Sequence, residues 1–181
     1  MPGEPGVWVV ILGELTIFAV FFGAFLWGRG EDPKLFVAAQ GHLSQWRAVI
    51  NTVLLLTSSL CVAGAVKAVR TGSVTVARPL LVAAVLGGVG FWLVKILDYA
   101  DLFGDHLTPA TNDFFMYYFI LTWLHLLHLL VGMAVLVFLW FLAGRSGLTP
   151  KQIGYVEAGG CYWHMVDVIW IVLFPLLYLL R

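Results

Sequence analysis

The chain has 181 residues, 61% of them apolar and 11% charged, with ten Lys plus Arg balancing ten Asp plus Glu and a mean hydropathy of +0.96. Ordinary soluble domains carry roughly 25% charged residues, so the polar surface is too small to wrap an aqueous globule, and no basic or acidic excess argues for nucleic acid. The solvent must be lipid, and the chain reads as an integral membrane protein.

A helix of about 20 apolar residues crosses a hydrocarbon core about 30 Å thick, and five tracts qualify. Residues 1–6 carry no Lys or Arg, so they lack the basic start of a signal peptide, and the first tract, Val7 to Trp27, is read as a retained span. A polar loop, Gly28 to Arg47, leads to the second tract, Val49 to Val66, stopped by Lys67 and Arg70. The third runs from Pro79 to Leu97, with Pro79 placed in the first turn, where its missing amide hydrogen costs nothing. The stretch Asp98 to Asp113 is read as an acidic loop holding Asp98, Asp101, Asp105 and Asp113. The fourth tract, Phe114 to Ala143, is long enough to tilt, and a loop with Arg145, Gly147, Pro150 and Lys151 leads to the fifth, Glu157 to Leu180. Pro175 inside that last tract is expected to bend it. Lipid satisfies no free backbone group, so the expected fold is all-α: one polytopic membrane domain over residues 1–181, a five-transmembrane-helix bundle.

Cys61 and Cys161 lie inside apolar tracts and read as small buried side chains rather than a disulfide framework. With five spans the termini face opposite sides. The basic residues divide evenly between those sides, counting Arg29, Lys34, Arg47, Lys95 and Arg181 on one and Lys67, Arg70, Arg78, Arg145 and Lys151 on the other. The compact basic loop Lys67 to Arg78 then favours a cytoplasmic N-terminus and an external C-terminus.

An ionisable group at mid-bilayer costs roughly 2.5–3.5 kcal/mol on insertion scales, so each one needs a reason. Glu14 lies about 10 Å into the first span. His125 and His128 sit one turn apart in the fourth, with Gly132 a turn beyond, and Glu157, His164 and Asp167 form a stripe along the fifth. A polar seam in the bundle interior, carboxylates beside imidazoles, would keep all six from being orphaned. Three readings stay open for it: packing hydrogen bonds, proton or lipid-headgroup handling, and a metal or haem site. His-x-x-His on one helix is a weak metal signal, and a two-haem path lacks the histidines it would need. Asn51, Ser58 and Ser59 in the second span, with Gly132, read as helix-packing positions.

Four blocks together resemble subunit III of the haem-copper oxidases. They are Gly13-Glu14 with the Phe-rich stretch to Trp27; Asn51-Thr52 through Ser58-Ser59; Thr122, His125, His128 and Gly132 as Thr-x-x-His-x-x-His-x-x-x-Gly; and Glu157 with Tyr162-Trp163-His164-Met165-Val166-Asp167-Val168-Ile169-Trp170, which is close to the family's Trp-His-Phe-Val-Asp-Val-Val-Trp signature. The resemblance covers nearly the whole chain and implies an inside N-terminus in a prokaryotic plasma membrane. It implies no active site, redox metal or cofactor of its own, bound phospholipid, and a partnership with catalytic subunit I and with subunit II. It also implies an accessory role in assembly, lipid binding and proton uptake, with Glu14 matching a membrane-embedded glutamate known for carbodiimide reactivity. Departures are Trp123 and Leu126 where glycine is frequent, Asp98-Tyr99 where Glu-Tyr is common, and the absence of the first two helices of the longest members. These fit the nitric-oxide-reductase-associated (NorE-type) branch as well as a terminal oxidase. A free-standing proton conductor, or a b-type haem protein with iron between His164 and His125 or His128, is the reading from outside the family.

Overall fold

A computed structural model describes residues 5–145 and 148–180; the readings that touch Met1–Glu4, Gly147 and Arg181 lie outside these described residues. The elements are α1 (Pro5–Glu31), α2 (Pro33–Gln40), α3 (Gln45–Arg70), α4 (Val74–Gly104), α5 (Asp113–Ala143) and α6 (Pro150–Phe174), followed by a π-helical turn, Pro175–Leu179. Among the described residues, five helices are long and apolar enough to cross a membrane.

Helices α1, α3 and α4 outrun at both ends the apolar tracts that announce them, because polar end residues continue the hydrogen-bond ladder after hydropathy has fallen. Helix α3 starts at a Ser44 cap that accepts from Arg47 N, and α6 starts seven residues before Glu157 at a capping box, Thr149 with Gln152, and Pro150 in the first turn. Two expectations are corrected here. Helix α4 begins at Val74 and runs to Gly104, so Pro79 lies one turn inside it and Asp98 and Asp101 are helical rather than in a loop. The polar connection Gly28 to Arg47 contains α2, started by Asp32, whose carboxylate accepts from Leu35 N, and by Pro33. Phe36 pins this short helix against the bundle, its ring 5.3 Å from Phe25 and 5.5 Å from Phe114. At Pro175 the ladder widens, and Leu180 N donates to Pro175 O at 2.9 Å.

Helices α3, α4, α5 and α6 close a ring in which each packs on the next and α6 returns to α3; α1 lies outside it, against α5 and α6. In lipid, small residues let backbones approach where aqueous hydrophobic collapse is absent. At the α3–α4 seam a methyl group on Gly87 would come within 2.8 Å of Ser58 Cβ and 3.2 Å of the Leu54 carbonyl, and Ser58 Oγ donates to Ala84 O across the same contact at 2.8 Å. Neither obstacle is a flexible chain end. Gly87→Ala is therefore expected to cost about 1–3 kcal/mol, the usual range for overpacking. Gly13→Ala, where nothing lies within 4 Å, should be neutral in the same thermal unfolding assay in detergent.

Candidate functional site

The six ionisable residues expected to form one seam fall into four separate groups. Glu14 on α1 meets His128 on α5, with Oε2 2.9 Å from Nε2. The other ring nitrogen, Nδ1, donates to the Leu124 carbonyl at 2.6 Å, which fixes its hydrogen there. Nε2 is then the nitrogen that faces the carboxylate. The Phe18 ring lies edge-on to the imidazole at 5.3 Å.

His125, one turn away, turns to a different neighbour. Its Nε2 donates to the Val166 carbonyl at 3.2 Å, the residue is fully buried, and its ring sits 5.3 Å from both Phe91 and Trp170. Its Nδ1 has no hydrogen-bond partner among the described residues, and no acid reaches it.

On the α3–α6 side, Ser59 Oγ and His164 Nδ1 share a 2.6 Å hydrogen bond, and Asp167 Oδ2 lies 3.8 Å from the same nitrogen. A nucleophilic Ser-His-Asp triad needs the acid and the serine on opposite ring nitrogens, so this trio is not one. Ser59 thus has a specific polar partner besides its packing role, whereas Asn51 is fully buried with both side-chain polar atoms unpaired among the described residues. Glu157 joins neither group; Arg70 Nε donates to its Oε1 at 2.6 Å at the rim of the bundle. His128, His125 and His164 contact a carboxylate, a carbonyl and a serine hydroxyl respectively. Among the described residues no cluster of three or more His, Cys, Asp or Glu could hold a metal ion. Both cysteines are free and half-buried.

The largest polar network was missed in the sequence. Lys95, counted there among the basic residues of one membrane side, is buried on α4, with 1% of its side chain exposed. Its Nζ donates to Tyr118 OH at 3.0 Å and Tyr178 OH at 2.8 Å, and lies 3.4 Å from Asp98 Oδ2, one turn along the helix. The rings of Tyr118, Trp170 and Tyr178 surround the ammonium at 5.0–5.4 Å. Asp98 Oδ1 accepts from Arg47 Nη1 at 3.2 Å, and Arg47 also reaches Asp101. A cavity of about 50 Å³, lined by Arg47, Asp98, Asp101, Tyr118 and Tyr178 among others, adjoins this network; it has room for water. Beside it Tyr99 donates to Thr122 Oγ1 at 2.6 Å, and Thr122 donates to the Tyr118 carbonyl at 2.7 Å. The one signal in the sequence was the i,i+3 spacing of Lys95 and Asp98 near the end of an apolar tract.

Comparison with known proteins adds the family. The model of cytochrome c oxidase subunit III matches residues 4–180. Cytochrome c oxidase subunit 3 of Alkalihalophilus pseudofirmus is 29% identical over 176 residues, 97% of this chain and 85% of the relative. Probable cytochrome c oxidase subunit 3 of Mycobacterium tuberculosis is 28% identical over 176 residues, covering 97% and 87%, and quinol oxidase subunit 3 of Bacillus spizizenii is 28% identical over 178 residues, covering 97% and 85%. With a family model spanning almost its entire length and a five-span helical bundle to match, this chain belongs to the cytochrome c oxidase subunit III family.

Proposed function

We propose that the chain is the non-catalytic third subunit of a respiratory haem-copper terminal oxidase, packed against catalytic subunit I and in contact with subunit II in a prokaryotic plasma membrane. Its role is to support assembly, to hold phospholipid and to sustain proton uptake by the catalytic subunit during turnover. The observation that carries this reading is the Glu14–His128 pair, an acid and an imidazole in contact inside a span, with the Glu14 side chain still 29% exposed. A group so placed is available to a neighbouring subunit or lipid, whereas a packing hydrogen bond would gain nothing from exposure. Beside it, Val7, Val10, Val135, Phe138, Leu139 and Tyr162 line an apolar recess between α1 and the α5–α6 pair, suited to an acyl chain. The relatives' names include both a cytochrome c oxidase and a quinol oxidase, so the family leaves both electron donors open. The rim carrying Lys67, Arg70, Arg78, Arg145 and Lys151 is assigned to the cytoplasm, which places the N-terminus inside.

The test uses the assembled complex purified in mild detergent, with the co-purifying subunits identified. Glu14→Gln and His164→Ala are expected to accelerate inactivation during turnover by severalfold and to lower the retained phospholipid, with initial turnover little changed. Wild-type durability and lipid content in both variants would reduce these residues to packing. Proton movement by the isolated chain in liposomes, or a Soret band in its absorption spectrum, would favour the free-standing conductor or the b-type haem protein instead.

A further inference from the structure

Arg78 lies four residues into α4, immediately before the apolar tract that starts at Pro79. Its guanidinium stacks on the Trp140 ring of α5, with Cζ 4.2 Å from the ring centroid, and its Nε is buried with no hydrogen-bond partner among the described residues. It is held in place by an aromatic surface rather than by an anion. The described acid on this rim, Glu157, is taken by Arg70, while Lys67, Arg145 and Lys151 add positive charge. A recess of about 440 Å³, lined by Thr75, Arg78, Trp140 and Gly144 among others, lies over the guanidinium. Toward mid-membrane, Trp140 also lines a second, apolar groove of about 180 Å³, floored by Leu81 and walled by Val82, Val85, Leu86 and Phe141. These α4 residues lie three to eight positions beyond Arg78, about 5–12 Å deeper along the helix.

From this juxtaposition we propose that the outer α4–α5 face binds one anionic phospholipid, its phosphate on Arg78 and one acyl chain along the Leu81–Leu86 groove. The recess sequence matches such a molecule: a cationic pocket at the rim, then a strip with no polar lining. Arginine presents the fork that phosphate oxygens accept, and the surrounding basic rim favours a net negative headgroup over a zwitterionic one. A docked transmembrane helix is a poorer occupant, since such contacts use small residues for close approach, and this face presents Val82, Leu86 and Phe141, each 45–64% exposed. The site is distinct from the recess beside α1 and does not depend on which complex the chain joins.

The experiment is native mass spectrometry of the delipidated full chain titrated with phosphatidylglycerol or phosphatidylcholine of identical acyl chains. Wild type should retain phosphatidylglycerol about fivefold better, the scale set by one basic residue facing an anionic headgroup. Arg78→Gln should bring that ratio close to one, while Lys67→Gln, an exposed cation on the same rim, should lower it much less. Val82→Trp fills the groove at an exposed position that folding tolerates, and should weaken retention of both lipids. Equal retention of the two lipids by wild type, an Arg78→Gln ratio equal to wild type, an equal loss in Lys67→Gln, or undiminished retention in Val82→Trp would each overturn the proposal.

Discussion

Asp98→Ala should destabilise the purified protein by about 3–5 kcal/mol, the range for stripping one partner from a buried ion pair. Lys95 would keep its two tyrosine hydroxyls but lose its counter-charge in a setting where 1% of its side chain is exposed, and Arg47 would keep only Asp101. The pair itself need not be worth that much. In Lys95→Met combined with Asp98→Leu no charge is orphaned, Tyr118 and Tyr178 hydroxyls still meet at 3.2 Å, and most of the loss should be recovered. A double-mutant cycle on unfolding midpoints in detergent reads this directly. Additive single losses, with no recovery in the double variant, would show that the two charges are not coupled.

Trp163→Ala is the second large effect, expected at about 3–5 kcal/mol, the usual span for emptying a large aromatic site. The indole is fully buried where α4, α5 and α6 converge, and two glycines make room for it. A methyl on Gly132 would come within 2.9 Å of the ring, and one on Gly88 within 3.1 Å of it and 2.8 Å of Met133 Sδ. Packing contacts rather than water exclusion hold helices together in lipid, so the empty volume translates into lost contacts. Trp163→Phe should cost well under the alanine value. Gly132→Ala should be better tolerated in the Trp163→Phe background than beside the native indole, and unfolding in detergent measures that difference. Equal penalties in both backgrounds would mean that the ring does not set the helix spacing.

The architecture was readable because span length and hydropathy are one-dimensional quantities, and the four sequence blocks placed the family. The site was readable only in part, because partner choice depends on helix phase and depth. His125 and His128 are three residues apart, which leaves about 60° between them on a helix of 3.6 residues per turn; that angle is enough to send one to the Val166 carbonyl and the other to Glu14. Glu157 and His164 do share a stripe, yet seven residues separate them by about 10 Å along the axis, and Arg70 is waiting at the shallower level. Helix α2 carried legible signals in Asp32 and Pro33 but is too short and too polar for a span-length criterion to register. The Lys95 network was the hardest to see, because Tyr118 and Tyr178 come from other elements and look in the sequence like two more membrane aromatics.

That network also sets an order of events during biosynthesis. Tyr178 lies 83 residues downstream of Lys95, so at roughly 5–20 residues per second a ribosome needs about 4–17 s to supply it after Lys95 has been made. Until then a nascent α4 carries its ammonium with only Asp98, one turn away, and later Tyr118, as native company. The ammonium of α4 therefore acquires its full set of native partners only once the last element of the chain has been made. The Leu177 and Tyr178 carbonyls of the π turn also accept from Gln40 and Gln45, so the final residues fasten α2 and α3 as well as α4.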